Sequence, residues 1–150
     1  EDAVRRLIRS LDAAELRLSG YDELAAEFDR IETAFAEELE RLGLLAWRDE
    51  MIAQRRLGLA YGNDRPIEEF ERELIRLESL DFAYTGFFGR WTALLFRFHR
   101  MDDIGDSARR RETFEMLHEL AMKKASSLSM DMRNDLVWME ERLRERGGED

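Results

Sequence analysis

The chain contains no cysteine. That excludes disulfides and thiolate metal sites, and it fits a reducing cytoplasm, the expected location. Proline occurs once and glycine nine times, so material for turns is scarce and the elements must be long. Lysine is almost missing as well. Of 24 basic residues only Lys123 and Lys124 are not arginine, a skew that suits bidentate guanidinium contacts as well as a biased genome. No run approaches the roughly 18 apolar residues that a membrane span needs. The closest, Phe82 to Phe98, is interrupted by Thr85, Gly86, Gly89, Arg90, Thr92 and Arg97, so no membrane partner is expected. No signal peptide is read at the start. The chain begins at Glu1, as expected of a processed chain or of a piece of a longer one.

Positive charge is in deficit. A net charge of −10 argues against nucleic acid or anionic lipid as a partner, because both need basic patches. Basic spots at Arg5-Arg6, Arg55-Arg56 and Arg109-Arg110-Arg111 are each flanked by acids in the same segment.

What is abundant is helix-forming sequence. Leu, Ala, Glu and Arg dominate and β-branched residues are few, which points to an all-α fold. Hydrophobic residues at 44% and charged residues at 39% describe a globular core under a densely charged face. At 150 residues one domain over 1–146 is expected, with Gly147-Gly148 and the acidic end (147–150) as a flexible tail.

Apolar spacing outlines seven helices. The first, from about Asp2 to Leu18, carries Val4, Leu7, Leu11 and Ala14 on one face. The second, Asp22 to Leu42, carries Leu24, Phe28, Ile31, Phe35, Leu39 and Leu42, and Gly43 ends it by tolerating positive φ. The third spans Leu44 to Tyr61. The fourth opens at Asp64-Arg65-Pro66, with proline in the first turn, and buries Ile67, Phe70, Leu74, Leu77 and Leu80. The fifth, Thr85 to Met101, is apolar nearly all round, so complete wrapping is expected. Ser107 caps a sixth that runs to about Ser127, with Phe114, Leu117 and Ala121 inward. The seventh, Asp131 to Arg144, presents Met132, Leu136, Met139 and Leu143. Short connections make neighbours antiparallel. Three hairpins and one leftover helix are expected, either a short solenoid with a terminal cap or an irregular bundle.

The stretch Gln54-x2-Leu57-Gly58-x2-Tyr61, with Phe70-x3-Leu74 in the next helix, resembles the tetratricopeptide repeat, whose pattern is Trp-x2-Leu-Gly-x2-Tyr, Ala-x3-Phe and a closing Pro. Tryptophan, alanine, phenylalanine and proline of that pattern are replaced here. Gly20-Tyr21-Asp22-Glu23-Leu24-x3-Phe28 resembles the turn and second helix of another copy, and Leu95-x2-Phe98 the start of a third. The resemblance implies a three-repeat solenoid with a C-terminal capping helix and a non-catalytic protein- or peptide-binding function. In that family the first helix of each pair lines a concave groove. Carried onto this chain, the groove comprises Arg55, Leu59 and Asn63 in the middle unit and Thr92, Phe96 and His99 in the next. Arg55 would clamp a ligand carboxylate and Asn63 would bind peptide backbone.

Catalytic signatures are absent, so no catalytic residue, metal or cofactor is expected. Glu115-Met116-Leu117-His118 has the Glu-x-x-His spacing of a di-iron helix, but such centres need a second copy. His118-Glu119-Leu120 resembles the start of a phosphorylated histidine box, but Ala121-Met122-Lys123 breaks the pattern; a histidine phosphotransfer bundle is one alternative. Glu37-Glu38-Leu39-Glu40 and Glu68-Glu69-Phe70-Glu71 supply the other, a small helical enzyme with a carboxylate–Mg²⁺ site. Against it, arginines follow at helical spacing (Glu37 with Arg41, Glu68 and Glu69 with Arg72, Glu73 with Arg76), which reads as a charged outer face. Trp47, Trp91 and Trp138 are expected in the core. Val137 and Trp138 also form an apolar strip on the last helix, through which a homodimer could form.

Overall fold

The computed structural model describes residues 2–146; the expected tail at 147–150 lies outside them. The fold is all-α, with no strand among the described residues. Among the described residues eight α-helices follow one another: α1 Asp2–Arg17, α2 Tyr21–Ala34, α3 Ala36–Arg41, α4 Leu45–Gly62, α5 Ile67–Ser79, α6 Gly86–Ile104, α7 Ser107–Lys123 and α8 Met130–Arg146. A short 3₁₀ turn, Ala125–Ser127, precedes α8. The chain divides into two compact units, Glu1–Gly89 and Arg90–Asp150.

In the first unit the core forms where apolar residues recur every three or four positions. Ala3, Leu7, Leu11 and Ala14 of α1 pack with Leu24, Phe28 and Ile31 of α2, Leu39 of α3 and Ile52 of α4. Helices α1 and α2 pair, α2 pairs with α4, and α4 pairs most extensively with α5. Short loops make each successive pair antiparallel.

The expected second helix is broken at Phe35, although no glycine or proline stands there. Arg48 of α4 donates from Nη1 to the Glu32 carbonyl oxygen at 3.2 Å. That acceptor would otherwise serve the next turn of the helix, and a side chain inserted into the ladder is a recognised cause of a break. Phe35 adopts φ −102° and ψ 0°, after which α3 resumes. Gly43 takes the expected left-handed conformation, with φ +70°, and the Leu44 N–H reaches back to the Leu39 carbonyl at 2.8 Å.

Other boundaries differ from the expectation as well: α7 stops at Lys123 and not at about Ser127, with the 3₁₀ turn following as a separate element. Pro66 stands just before the first residue of α5, not inside its first turn. Helix α7 is capped by Asp106, whose side chain accepts from the Arg109 N–H at 3.1 Å. Ser107 is its first helical residue. Carboxylates and hydroxyls both make good caps, and the nearer register wins here.

In the second unit the buried positions are Trp91, Ala93, Leu94, Phe98 and Met101 of α6, Leu117 and Ala121 of α7, and Met132, Met139 and Leu143 of α8. Charge is buried there too. Asp102 accepts from Arg110 Nη1 at 2.9 Å and from Arg142 Nε at 3.0 Å, which ties α6, α7 and α8 at one point. Complete wrapping of α6 does not hold, since Phe88 is 60% exposed. Trp138, expected in the core, is 41% exposed, although its ring meets buried Phe98 at 5.9 Å.

Candidate functional site

The residues expected to line a groove fall in both units. Arg55, Leu59 and Asn63 recur at four-residue steps along α4 and share a face. Arg55 is already engaged: Nη1 meets Glu15 Oε2 at 2.7 Å and Nη2 meets Asp12 Oδ1 at 2.8 Å. These bonds hold α1 beside α4 and raise the guanidinium pKa against the opposing effect of its own burial. Asn63 is the C-cap of α4, and its Nδ2 donates to the Leu59 carbonyl at 2.9 Å. Both polar groups therefore make bonds inside the molecule that a ligand would have to displace.

Thr92, Phe96 and His99 lie on the α6 residues of the second unit. Thr92 is exposed, while Phe96 and His99 are half-buried. The His99 ring lies 5.0 Å from the Trp138 ring, tilted by 34°, so one face of the imidazole is covered.

Leu59 also borders a polar cleft of about 110 Å³ between α2, α4 and α5, lined by Tyr21, Arg56, Glu69, Arg72 and Glu73 among others. On one side, Arg65 forks onto Glu69 with two bonds of 2.9 Å. The Tyr21 hydroxyl donates to the same carboxylate at 2.9 Å. The Arg65 guanidinium carbon stands 4.1 Å from the Tyr21 ring centroid, a cation–π contact. With Arg65 first among the causes, the Glu69 carboxyl is held down to about 2. Glu73 is pushed the other way. Burial raises its pKa against the pull of Arg76, Arg56 and Arg72, and its Oε2 is buried without a hydrogen-bond donor. Sequence spacing pairs Glu69 with Arg72; the structure instead gives it Arg65, four residues earlier.

A larger open groove of about 400 Å³ lies in the second unit. Its lining is Phe114, Glu115, His118, Glu119 and Met122 of α7 with Glu140 of α8. Phe114, His118 and Met122 recur at four-residue steps, so they form one stripe along the helix. The Phe114 and His118 rings lie 5.9 Å apart at 33°, and Met122 is 70% exposed. Phe114, expected inward, is half-buried and also lines this groove. Glutamates stand around the stripe from both helices. The arrangement offers Phe114 and Met122 as apolar surface, bordered by three carboxylates.

Among the described residues no group of three or more His, Asp or Glu side chains is placed to hold a metal ion. No described helix is long and apolar enough to cross a membrane. The spacing of Glu115 and His118 points toward the groove, yet it suggests iron or phosphoryl transfer when read alone. Met122 is legible in the sequence only as an apolar residue off the buried stripe. Tyr21 and Glu73 carry no sequence signal for the cleft, because their partners are distant in the chain.

No family model, curated protein or solved structure matches the chain.

Proposed function

We propose that this chain is a non-catalytic protein- or peptide-binding module, an adaptor on tetratricopeptide-like helical hairpins. The pairing of α1 with α2, α2 with α4 and α4 with α5 is compatible with such hairpins in the first unit. The single observation that carries the binding reading is the groove on α7. There Phe114 and a largely exposed Met122 hold open an apolar seat. Monomers seldom leave such side chains grouped in a concavity unless something covers them.

Selection from a displayed library of random peptides tests the reading. Enriched peptides should bind the protein and lose binding when Met122→Asp or Phe114→Ala is introduced. If no peptide is enriched over a blank surface, the reading fails. A Mg²⁺-dependent rise in melting temperature that Glu68→Gln or Glu71→Gln abolishes would favour the carboxylate–Mg²⁺ enzyme instead.

A second reading, self-association through α8, is favoured by the adjacent exposed side chains of Val137 (55%) and Trp138 (41%). A clean monomer of 17.8 kDa in sedimentation equilibrium at high concentration would exclude it.

A further inference from the structure

We infer that the α7 groove receives a basic amphipathic helix of a partner protein; the inference rests on the binding-module reading above. Three features of the groove specify that occupant. The first is its shape: Phe114, His118 and Met122 form a stripe about 12 Å long over nine residues of helix. An apolar seat of that length matches ligand anchors spaced by three or four residues, the hallmark of a helix laid in a groove.

The second is charge. Glu115 and Glu119 of α7 and Glu140 of α8 border the groove. A ligand with lysine or arginine on both flanks of its apolar face meets carboxylates on either side. The chain's net charge of −10 would speed the encounter and repel acidic competitors.

The third is that these carboxylates are available. Glu115 has no ion-pair or hydrogen-bond partner among the described residues. Glu119 meets Lys123 at 3.2 Å and Glu140 meets Arg144 at 3.3 Å, but all four side chains are more than half exposed. Exposed pairs of this kind are weak, so a ligand's cations exchange with them at little cost. An anionic membrane or a nucleic acid would be repelled by the same carboxylates.

Fluorescence anisotropy at about 0.15 M salt tests the assignment with three labelled synthetic peptides. One is a leucine–lysine amphipathic helix, one has the same composition scrambled, and one is the leucine–glutamate counterpart. The leucine–lysine helix should bind, and the other two should bind at least roughly tenfold more weakly. Met122→Asp should weaken the leucine–lysine helix by a similar factor, and so should Glu115→Lys combined with Glu119→Lys. Glu78→Lys, on an exposed turn of α5, should leave it unchanged. These are surface positions, and circular dichroism verifies that each variant keeps its helices.

Equal binding of the leucine–glutamate helix that still depends on Met122 overturns the basic partner but keeps a peptide groove. Binding of the lysine peptides that ignores Met122→Asp means attraction to net charge alone and overturns the site. No binding by any of the three overturns both this assignment and the module reading at this groove. A concentration-dependent dimer that Met122→Asp dissolves gives the groove to a second copy of the chain and overturns the assignment too.

Discussion

The carboxylate of Glu50, fully buried on α4, accepts from the backbone N–H of Tyr84 at 3.1 Å and from that of Thr85 next to it. A side chain from one helix thereby caps the start of another, since α6 begins at Gly86. The turn it holds is strained: Asp81 and Phe82 adopt φ of +54° and +49° in succession. Conformations of that kind cost on the order of 1 kcal/mol or more each for non-glycine residues and persist only where surroundings enforce them. Burial of the Phe82 ring, 3% exposed, and the Glu50 cap supply the enforcement.

Glu50→Ala should therefore lower unfolding free energy by about 3 kcal/mol, because it leaves two N–H groups without their charged acceptor. Glu50→Gln keeps one acceptor and should lose roughly half as much. Urea denaturation followed by far-ultraviolet dichroism measures both. A loss under about 0.5 kcal/mol for the alanine variant would show that the turn stands without the cap.

Gly89→Ala should destabilise, contrary to helix propensity, which favours alanine by about 1 kcal/mol. A Cβ at that position would lie 2.4 Å from the Thr85 Cβ and 2.7 Å from Gln54 Nε2. The Gln54 end can swing away, but a Cβ is fixed to its backbone. The same glutamine donates to the Thr85 hydroxyl at 3.3 Å, so relief of one contact breaks another. The expected cost is about 1–3 kcal/mol, typical of overpacking, read as a lowered melting temperature. Gly89→Ala combined with Thr85→Gly should recover part of it.

Local periodicity in the sequence makes most helices and their buried faces legible, as with Leu7 and Leu11 or Phe70, Leu74 and Leu77. The break at Phe35 is not legible there, because the Arg48 that bonds the Glu32 carbonyl beside it lies in another helix. Glu50 is equally hidden, since one acid in a helix looks like any solvated acid until its partners are known. Among candidate site residues, Arg55 is readable as a basic group on the α4 face. Its partners Asp12 and Glu15 on α1 are not. Met122 stands outside the apolar stripe in sequence, and its place in a groove with Glu140 of α8 depends on the packing of two helices.

Asp102→Ala should cost about 3–5 kcal/mol, the range for removal of one partner from a buried pair. Arg110 is 1% exposed and would keep its charge with no counter-ion at 2.9 Å. Asp102→Leu combined with Arg110→Met removes both charges and should regain most of that loss. Arg142, 31% exposed in its side chain, can turn to solvent in either background. Chemical denaturation of the single and double variants decides the matter. Equal instability in both would assign the effect to lost packing instead of an orphaned charge.

The polar cleft should give this protein two opposite pH responses. Glu69 has its folded pKa lowered to about 2, with Arg65 as the largest cause. Its contribution is present above the ordinary carboxylate range and is lost as the pH falls from about 4.5 toward 2. Glu73 is raised by burial. Its contribution is present when the carboxyl is protonated and is lost as the pH rises through its folded pKa, so ionised Glu73 opposes folding at neutral pH. Glu69→Gln should accordingly lower the melting temperature at pH 7 and flatten the acid limb of the stability profile. Glu73→Gln should raise the melting temperature at pH 7 and leave it almost unchanged near pH 3, where the native carboxyl is already neutral. Thermal melts of the parent and both variants between pH 2 and pH 8 give the comparison. A destabilised Glu73→Gln at pH 7 would show that the carboxylate finds a donor in solution, and that the buried Oε2 is satisfied after all.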